Sequence, residues 1–214
     1  HYPCMVKDGV EGKKLDRNDF TKHEDGTPAD ITSGAEGDVM IAFPRCGLKF
    51  EESGQYLLIT MTNNPNNPDY EYMAFKRGDT LKDKFYLGAY TGSYSSTNPM
   101  RSLSGKTIPV TLNIGDWRTK AQANGAPDGN GGSGYDQFSW YQLIYLQCMF
   151  ILKYKTLDSQ SAVGKGNTSD SLKRSTGGTN TKGMDWGDTS TGKDHMKLFG
   201  LEDLWGNVFE FIDG

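Results

Sequence analysis

The closing segment of the chain, residues 198–214, constrains the fold more than any other stretch of the sequence. It places nine large apolar side chains around a Gly-Asn pair at positions 206 and 207. Glu202, Asp203 and Glu210 lie among these apolar residues. Carboxylates are almost never fully buried unless they are paired. The segment therefore predicts a buried turn that is ordered around carboxylate oxygens.

The rest of the sequence predicts an α+β fold. Its first half alternates short apolar runs with turn-forming residues, which indicate strands at 38–44, 55–62, 71–75, 84–90 and, more weakly, 106–114. The second half predicts a short helix at 116–125, capped by Asp116, and a long helix at 135–154, capped by Asp136. The long helix is apolar almost all round, which is typical of a helix buried in the middle of a domain.

The charge pattern argues against nucleic acid and membrane as partners. The formal net charge is −4, and the Lys and Arg residues form no long cluster, whereas duplex binding requires a basic surface. The most apolar stretch, residues 138–152, is shorter than the roughly 20 residues of a membrane span, and Gln142 and Gln147 interrupt it. We therefore predict neither nucleic-acid binding nor membrane insertion.

Cysteine and histidine usage argues against a zinc site. Cys4, Cys46 and Cys148 are far apart, no C-x-x-C pair occurs, and the three histidines are scattered. Cys148 falls in the apolar helix pattern, where an inert thiol is expected. A Cys4–Cys46 disulfide is an open alternative, but the low cysteine count fits synthesis in a reducing cytoplasm.

Residues 164–193 form the longest polar stretch, in which Leu172, Met184 and Trp186 are the only large apolar side chains. A segment of this length without regular structure is usually functional or disordered. We expect it to provide a surface for a ligand or a partner.

Trp186 is the centre of a predicted sugar site in this stretch. Asp185 and Asp188 flank it, and His195 follows; an exposed Trp can stack on a pyranose ring while carboxylates and hydroxyls hydrogen-bond around it. The alternative is that Trp186 folds back and covers the core. Weaker candidates for ligand contact are Tyr90, Tyr94 and Trp117.

The sequence GLEDLWGNVFEF at 200–211 resembles the G-L-x-D-x-x-G-N-V-W-E-W signature of the formylglycine-generating-enzyme type of C-type-lectin fold. The matching residues are Gly200, Leu201, Asp203, Gly206, Asn207, Val208 and Glu210, with Phe209 and Phe211 at the usual Trp positions. Residues 37–50 and 85–94 are similar to the first two strands of that fold. The resemblance implies a C-type-lectin-like domain at 35–214, with short strands, one long buried helix and long irregular loops.

Residues 140–166 narrow the resemblance, because a buried helix followed by DSQSAVGKG is similar to the version of this fold in phage and prophage tail proteins. This implies a receptor-binding or tail-fibre protein of the virion, made in the bacterial cytoplasm. Its expected partners are other tail or baseplate subunits, further copies of itself, with a trimer as the form expected of a fibre, and a host-surface glycan or protein.

The ends of the sequence lead us to expect a fragment of a longer polypeptide. The chain begins at His1 without an initiator Met and stops directly after an apolar motif. Residues 1–34 are then expected to be an arm or linker, and the domain at 35–214 to be truncated at its C-terminus.

The resemblance also implies a calcium site. In the enzyme branch of the family, this turn is similar to a site whose ligands correspond by position to Asp203, Gly206, Val208 and Glu210. Ca²⁺ takes six to eight oxygen ligands, and two carboxylates are a thin set. The alternative is that the carboxylates hydrogen-bond backbone amides without a metal.

Catalysis is not expected from these residues. The chemistry of the enzyme branch resides in two cysteines beyond the closing motif, and none of the three cysteines here has that place. No Ser-His-Asp, P-loop or HExxH pattern occurs either. The expected function is non-enzymatic host recognition or fibre assembly; the alternatives are a formylglycine-generating-enzyme-like oxidase and a bacterial calcium-dependent carbohydrate-binding protein.

Overall fold

The computed structural model describes residues 1–94, 99–124 and 134–213, which form an α+β fold with more strands than helices. The strands are β1 Tyr2–Lys7, β2 Val10–Lys14, β3 Asp38–Pro44, β4 Gly47–Ser53, β5 Tyr56–Thr62, β6 Lys76–Arg77, β7 Thr80–Leu81, β8 Lys84–Gly88, β9 Trp186–Gly187, β10 Met196–Leu198 and β11 Leu201–Glu202. The helices are α1 Ile114–Gln122, α2 Trp140–Tyr154 and α3 Ser159–Ala162, with a 3₁₀ helix at Met73–Phe75.

A four-stranded antiparallel sheet, in the order β2-β1-β3-β8, forms the centre of the fold. β3 is an interior strand, and all of its residues except the last are buried. Alternate side chains of a strand point to opposite faces. Val39, Ile41 and Phe43 therefore enter the main core, while Met40 and Ala42 enter a smaller apolar cluster on the other face.

Residues 1–34 belong to this fold, which differs from the arm or linker that we expected. β1 lies between β2 and β3 in the sheet. Met5, Leu15, Phe20 and Ile31 are each at most 3 % exposed and pack in the main core. These core residues are so widely spaced among exposed polar residues that they produce no periodic signal in the sequence.

The long helix α2 begins later than predicted. Its N-cap is Ser139, not Asp136, and a capping box joins Ser139 to Gln142. On its buried face, the Tyr145 ring meets the rings of Phe75 and Phe85 edge-on, at centroid distances of 5.3 and 5.6 Å. This aromatic group connects α2 to the central sheet.

The expectation that α2 is buried all round was wrong. Trp140 and Tyr141 are each about half exposed, and Leu152 is exposed as well. One face of α2 is therefore buried and the other is exposed, although apolar residues occur on both faces. Within the described part of the chain, no helix has the length and apolarity needed to cross a membrane.

The strand predictions were correct in three places and wrong in two. Those at 38–44, 55–62 and 84–90 are confirmed as β3, β5 and β8. At 71–75 the chain instead forms the 3₁₀ helix, which buries the adjacent side chains of Ala74 and Phe75; a strand would turn one of them outward. At 106–114 Pro109 removes a backbone donor, and the chain stays irregular until α1 begins, with Asn113 rather than Asp116 as its N-cap.

A glycine next to β1 provides a test of the close packing of this N-terminal strand against the rest of the fold. Gly37 has φ +116°, and a Cβ added there would lie 2.4 Å from the carbonyl oxygen of Val6. We expect Gly37→Ala to lower the free energy of unfolding by roughly 3 kcal/mol, because backbone strain and a backbone clash combine. Urea unfolding measures this change.

Gly26→Ala is the matched control. Gly26 also has a positive φ, +83°, but no atom lies within 4 Å of the added Cβ. It should lose only about 1 kcal/mol, from backbone strain alone. Equal losses in the two variants would contradict the close approach of Gly37 to β1.

Candidate functional site

The hairpin of β10 and β11 collects four ionisable side chains inside the protein. His195, Lys197, Glu202 and Asp203 are all buried. The turn of the hairpin contains Gly200, whose φ is +89° and whose added Cβ would lie 2.6 Å from the side chain of Ile41 on β3. Gly200 thus allows the hairpin to pack directly against the core, and the polar residues of the hairpin are buried with it.

Glu202 binds the middle of the long polar stretch. Its Oε1 accepts a hydrogen bond from the Gly177 amide at 2.7 Å. Its Oε2 accepts from the Thr179 amide at 2.8 Å and from the Thr179 hydroxyl at 2.6 Å. Burial raises the pKa of Glu202 above its usual value, although these hydrogen bonds oppose the shift. The carboxylate thus supplies acceptors for a backbone that has no sheet or helix partners there.

Lys197 is the most deeply buried charged residue of the group, with no exposed surface. Its Nζ donates to the carbonyl oxygen of Thr179 at 3.0 Å and lies 3.4 Å from the centroid of the Phe20 ring. Burial lowers the pKa of Lys197 to about 7, while the nearby charges of Glu202 and Asp185 oppose this. Lys197 and Glu202 therefore hold the same residue, Thr179, from two sides.

His195 and Asp203 form a buried pair. His195 Nδ1 lies 2.7 Å from Asp203 Oδ2. Burial alone would lower the pKa of His195, but the hydrogen bond to Asp203 and the charges of Asp203 and Glu202 outweigh it, so the pKa is raised. Asp203 also accepts from the side-chain amide of Asn207 at 2.8 Å and from the Met196 amide at 3.2 Å.

The same motif is bonded to the long polar stretch at two further places. The indole nitrogen of Trp205 donates to the carbonyl oxygen of Gly164 at 2.9 Å. The Asn207 side chain accepts from the Arg174 amide at 2.7 Å and donates to the Arg174 carbonyl oxygen at 3.1 Å. The side chains of Glu202, Asp203, Trp205 and Asn207 therefore hold much of residues 164–179 in place. We call these four residues the brace.

The metal-binding capacity of this cluster is limited by its hydrogen bonds. Candidate ligand atoms of His195, Glu202 and Asp203 lie within 4.8 Å of one another. Each of the four carboxylate oxygens already accepts an N–H or O–H hydrogen. Each oxygen has a second lone pair, so a cation would have to bind beside these donors, two of which are backbone amides that hold the polar stretch.

Three of the four calcium ligands implied by the resemblance can be described by their contacts or surroundings. Asp203 is engaged as described, and the Gly206 carbonyl oxygen accepts from the Val208 amide at 2.7 Å. Glu210 lines a cavity that Val208 also lines, and it is near enough to Asp203 for the charge of Asp203 to raise the pKa of Glu210. The contacts of Asp203 are those expected of the alternative, in which the carboxylates hydrogen-bond within the protein. Calcium binding at these four residues stays a prediction.

The residues of the predicted sugar site do not converge. Asp185 accepts from Lys153 Nζ at 2.6 Å and from the Phe199 amide at 3.0 Å. Asp188 accepts from the amides and hydroxyls of Ser190 and Thr191, within its own turn. The fourth residue, His195, is buried with Asp203.

Trp186 is half-buried in β9, and Lys182 Nζ lies 4.9 Å from the centroid of its ring. The backbone of Trp186 pairs with that of Lys197 on β10 and so joins the segment to the closing hairpin. The contact with Lys182 lies within the same polar stretch, and sugar stacking on Trp186 stays a prediction.

A large cavity lies between β8, α1, residues 134–138 and the end of the chain, and Glu202 of the buried cluster also lines it. Its volume is about 1380 Å³. Nine aromatic side chains line it: Phe75, Phe85, Tyr86, Tyr90, Trp117, Tyr135, Phe138, Phe209 and Phe211. Among its polar lining residues are Asp136, Asp170, Lys173 and Glu210. Aromatic faces and charged groups are therefore combined in one concave site.

Residues 208–211 line this cavity between two anchors. At one end is Asn207, bonded to Arg174 as described. At the other end, both carboxylate oxygens of Asp213 accept from Arg118, at 2.5 and 2.6 Å, and the Asp213 carbonyl oxygen accepts from the Trp140 amide at 2.6 Å. We call residues 208–211 the strap.

Glu210 is the acidic group of the strap. It is exposed to the space of the cavity, yet enough protein surrounds it that burial, together with the charge of Asp203, raises the pKa of Glu210 to about 8.

Reasoning from the sequence missed this cavity but named two of its residues. Tyr90 and Trp117, the weaker candidates for ligand contact, both line it. Tyr94 meets Trp117 edge-on at a centroid distance of 6.4 Å. The signal available in the sequence was Tyr90 at the end of a predicted strand and Trp117 in a short, polar predicted helix.

Comparisons with known proteins provide no relative. No protein-family model, no curated protein and no solved structure matches this chain. The function must therefore be inferred from the site.

Glu202 provides a direct test of the buried cluster. In Glu202→Gln, one carboxylate oxygen becomes an NH₂ group that faces backbone or hydroxyl donors. We expect the free energy of unfolding to fall by roughly 3 kcal/mol, because buried donors lose a charged acceptor. Chemical unfolding measures the loss.

Glu24→Gln is the matched control, because Glu24 is exposed; we expect a change within about 0.5 kcal/mol. If Glu202→Gln were as mild as this control, Glu202 would not hold the polar stretch.

Proposed function

We propose that this chain is a non-enzymatic recognition module of a bacteriophage tail, which binds a host-surface glycan in the cavity beside the strap. The observation that carries the proposal is the combination of nine aromatic lining residues with charged groups in one cavity of about 1380 Å³. Sites for small ligands usually enclose about 300–1000 Å³. A cavity of this size suits an oligosaccharide better than a single sugar.

The lining of the cavity has the chemistry that sugar recognition requires. Trp117 and Phe138 are half-buried, so part of each ring remains available to a ligand. Aromatic faces pack against the apolar face of a pyranose ring, and a few polar groups then fix its orientation. Asp136, Asp170 and Lys173 supply such groups.

The tail assignment is supported by the sequence resemblance. The closing motif at 200–211 and the helix followed by DSQSAVGKG are similar to the C-type-lectin-like domains of phage tail proteins, and the observed fold is of the α+β class. We propose accordingly that the domain has the C-type-lectin-like fold of the formylglycine-generating-enzyme type. It would be displayed on the virion together with other tail or baseplate subunits.

The absence of catalysis is supported by the state of the thiols. Cys4, Cys46 and Cys148 are free, and Cys4 and Cys148 are buried. Burial raises the pKa of Cys4 to about 12 and also raises that of Cys148, whereas a reactive thiol requires a lowered pKa and access. These thiols do not support the oxidase alternative.

The buried His–Asp pair also lacks a nucleophile. A hydrolytic triad needs a hydroxyl or thiol bonded to the imidazole. Among the described residues, the hydrogen bond of His195 is made to Asp203, and no hydroxyl or thiol is bonded to the ring. The pair is better explained as part of the brace.

Glycan binding by the intact chain tests the proposal. The probe is an array of bacterial surface oligosaccharides and purified lipopolysaccharides. We expect Trp117→Ala to weaken binding of the recognised glycan by roughly tenfold or more, equivalent to about 1.4 kcal/mol, because a stacking surface in the cavity is lost. Trp140→Ala is the matched control, because Trp140 is half exposed on α2 and does not line the cavity; it should bind as the unmodified chain does.

Each other outcome has a definite meaning. Binding that survives Trp117→Ala but is lost in Trp186→Ala would place the ligand on the polar stretch and contradict the cavity site. Binding that requires CaCl₂ and disappears in EDTA would favour the calcium-dependent carbohydrate-binding protein instead. No binding to any glycan on the array would contradict glycan recognition and leave fibre assembly as the function that the resemblance supports.

A further inference from the structure

The hairpin of β4 and β5 is a second, independent candidate for interaction. It forms a two-stranded sheet of its own, and a hairpin alone is marginally stable in water. Its outer half carries four exposed apolar side chains, of which Tyr56 is 70 % and Leu57 is 59 % exposed; the other two are Phe50 and Leu58. Such a concentration of apolar surface on one hairpin indicates that it is covered by a partner.

The hydrogen-bond pattern identifies the free edge. Leu48 on β4 exchanges backbone hydrogen bonds with Glu71, at 2.9 and 2.8 Å, so its backbone groups point away from β5. In the pairing of β4 with β5, Leu48 lies opposite Met61. In an antiparallel pair the outward-pointing residues alternate, so Leu57, Ile59 and Met61 direct their N–H and C=O groups away from β4. Within the described part of the chain, β4 is the one sheet neighbour of β5.

The sequence of β5 lacks the features that protect an edge strand. Natural proteins place charged residues, proline or bulges on exposed edges to prevent pairing. The strand YLLITMT contains no charge, no proline and no glycine. β4, by contrast, carries Lys49, Glu51 and Glu52. Pairing through β4 of two chains would bring carboxylates together, whereas pairing through β5 would not.

We infer that a second copy of this chain pairs its β5 with this β5. The two strands run antiparallel about a two-fold axis at Ile59, and the hairpins join into one four-stranded sheet. In this register each Ile59 exchanges both backbone hydrogen bonds with its counterpart, and each Leu57 lies opposite the Met61 of the other copy. The contact is self-complementary and therefore closes as a dimer.

A proline on the free edge tests this pairing. Leu57→Pro removes an outward N–H and leaves the ladder with β4 intact, since proline is tolerated on edges where its nitrogen faces away from the partner strand. Sedimentation equilibrium of the intact chain, at concentrations up to about 100 µM, should show a dimer. Leu57→Pro should raise its dissociation constant by roughly tenfold or more.

Two further variants keep the result interpretable. Leu57→Thr is the matched control: it keeps the N–H and the β propensity, and should weaken the dimer less than Leu57→Pro does. Leu58→Lys introduces two like charges near the axis, and should also favour the monomer. Far-UV circular dichroism shows whether each variant is folded.

The inference is overturned if the unmodified chain is monomeric over this range or forms a trimer, because an edge-to-edge contact about a two-fold axis cannot produce three-fold symmetry. It is also overturned by a dimer that withstands both Leu57→Pro and Leu58→Lys. None of these outcomes bears on glycan binding in the cavity, so the two proposals succeed or fail separately.

Discussion

The carboxylate of Glu202 is the contact on which the long polar stretch depends. Loops usually remain at the surface because buried backbone groups need hydrogen-bond partners. Here the Gly177 and Thr179 amides obtain their partner from a side chain, and Thr179 is completely buried as a result. Burying a carboxylate is costly unless its oxygens accept hydrogen bonds. The mutual dependence of Glu202 and this backbone explains why a segment with few apolar residues is held against the core.

The closing motif connects this buried cluster to the cavity. Its first half supplies Glu202 and Asp203 to the interior, and Trp205 and Asn207 bind the polar stretch at Gly164 and Arg174. Its second half becomes the strap that lines the cavity. The conformation of the strap is therefore set at one end by the brace and at the other by the Arg118–Asp213 ion pair. Substitutions in the brace can thus alter the cavity without touching it.

Local patterns in the sequence predicted what depends on local interactions. β3 was predicted because apolar residues of β type are bounded by Pro44, and the closing turn because carboxylates are interspersed with apolar residues. Asp188 was predicted to contact a ligand because it lies near a Trp, and in the structure its carboxylate bonds to Ser190 and Thr191 in its own turn. The sequence does not distinguish these two uses of an aspartate.

The cavity and the N-terminal strand could not be predicted because they arise from contacts between distant parts of the chain. The cavity is assembled from β8, α1, residues 134–138 and the strap. The strap belongs to the closing motif, but that motif does not show which distant segments the strap faces. β1 is recognisable as a strand only through its pairing with β3. Lys197 is a further example: it lies between Met196 and Leu198, where alternation predicts an outward side chain, yet Thr179 and Phe20 accommodate it inside.

Amide hydrogen exchange at Gly177 and Thr179 tests the central role of Glu202 most directly. Amides that are bonded to a buried carboxylate should exchange only when the whole domain unfolds, at the slow rate of the β3 amides. The account predicts this strong protection although both residues lie in a segment without regular structure. Exchange at the rate of exposed loop amides, while β3 remains protected, would show that the polar stretch opens independently and that Glu202 does not hold it.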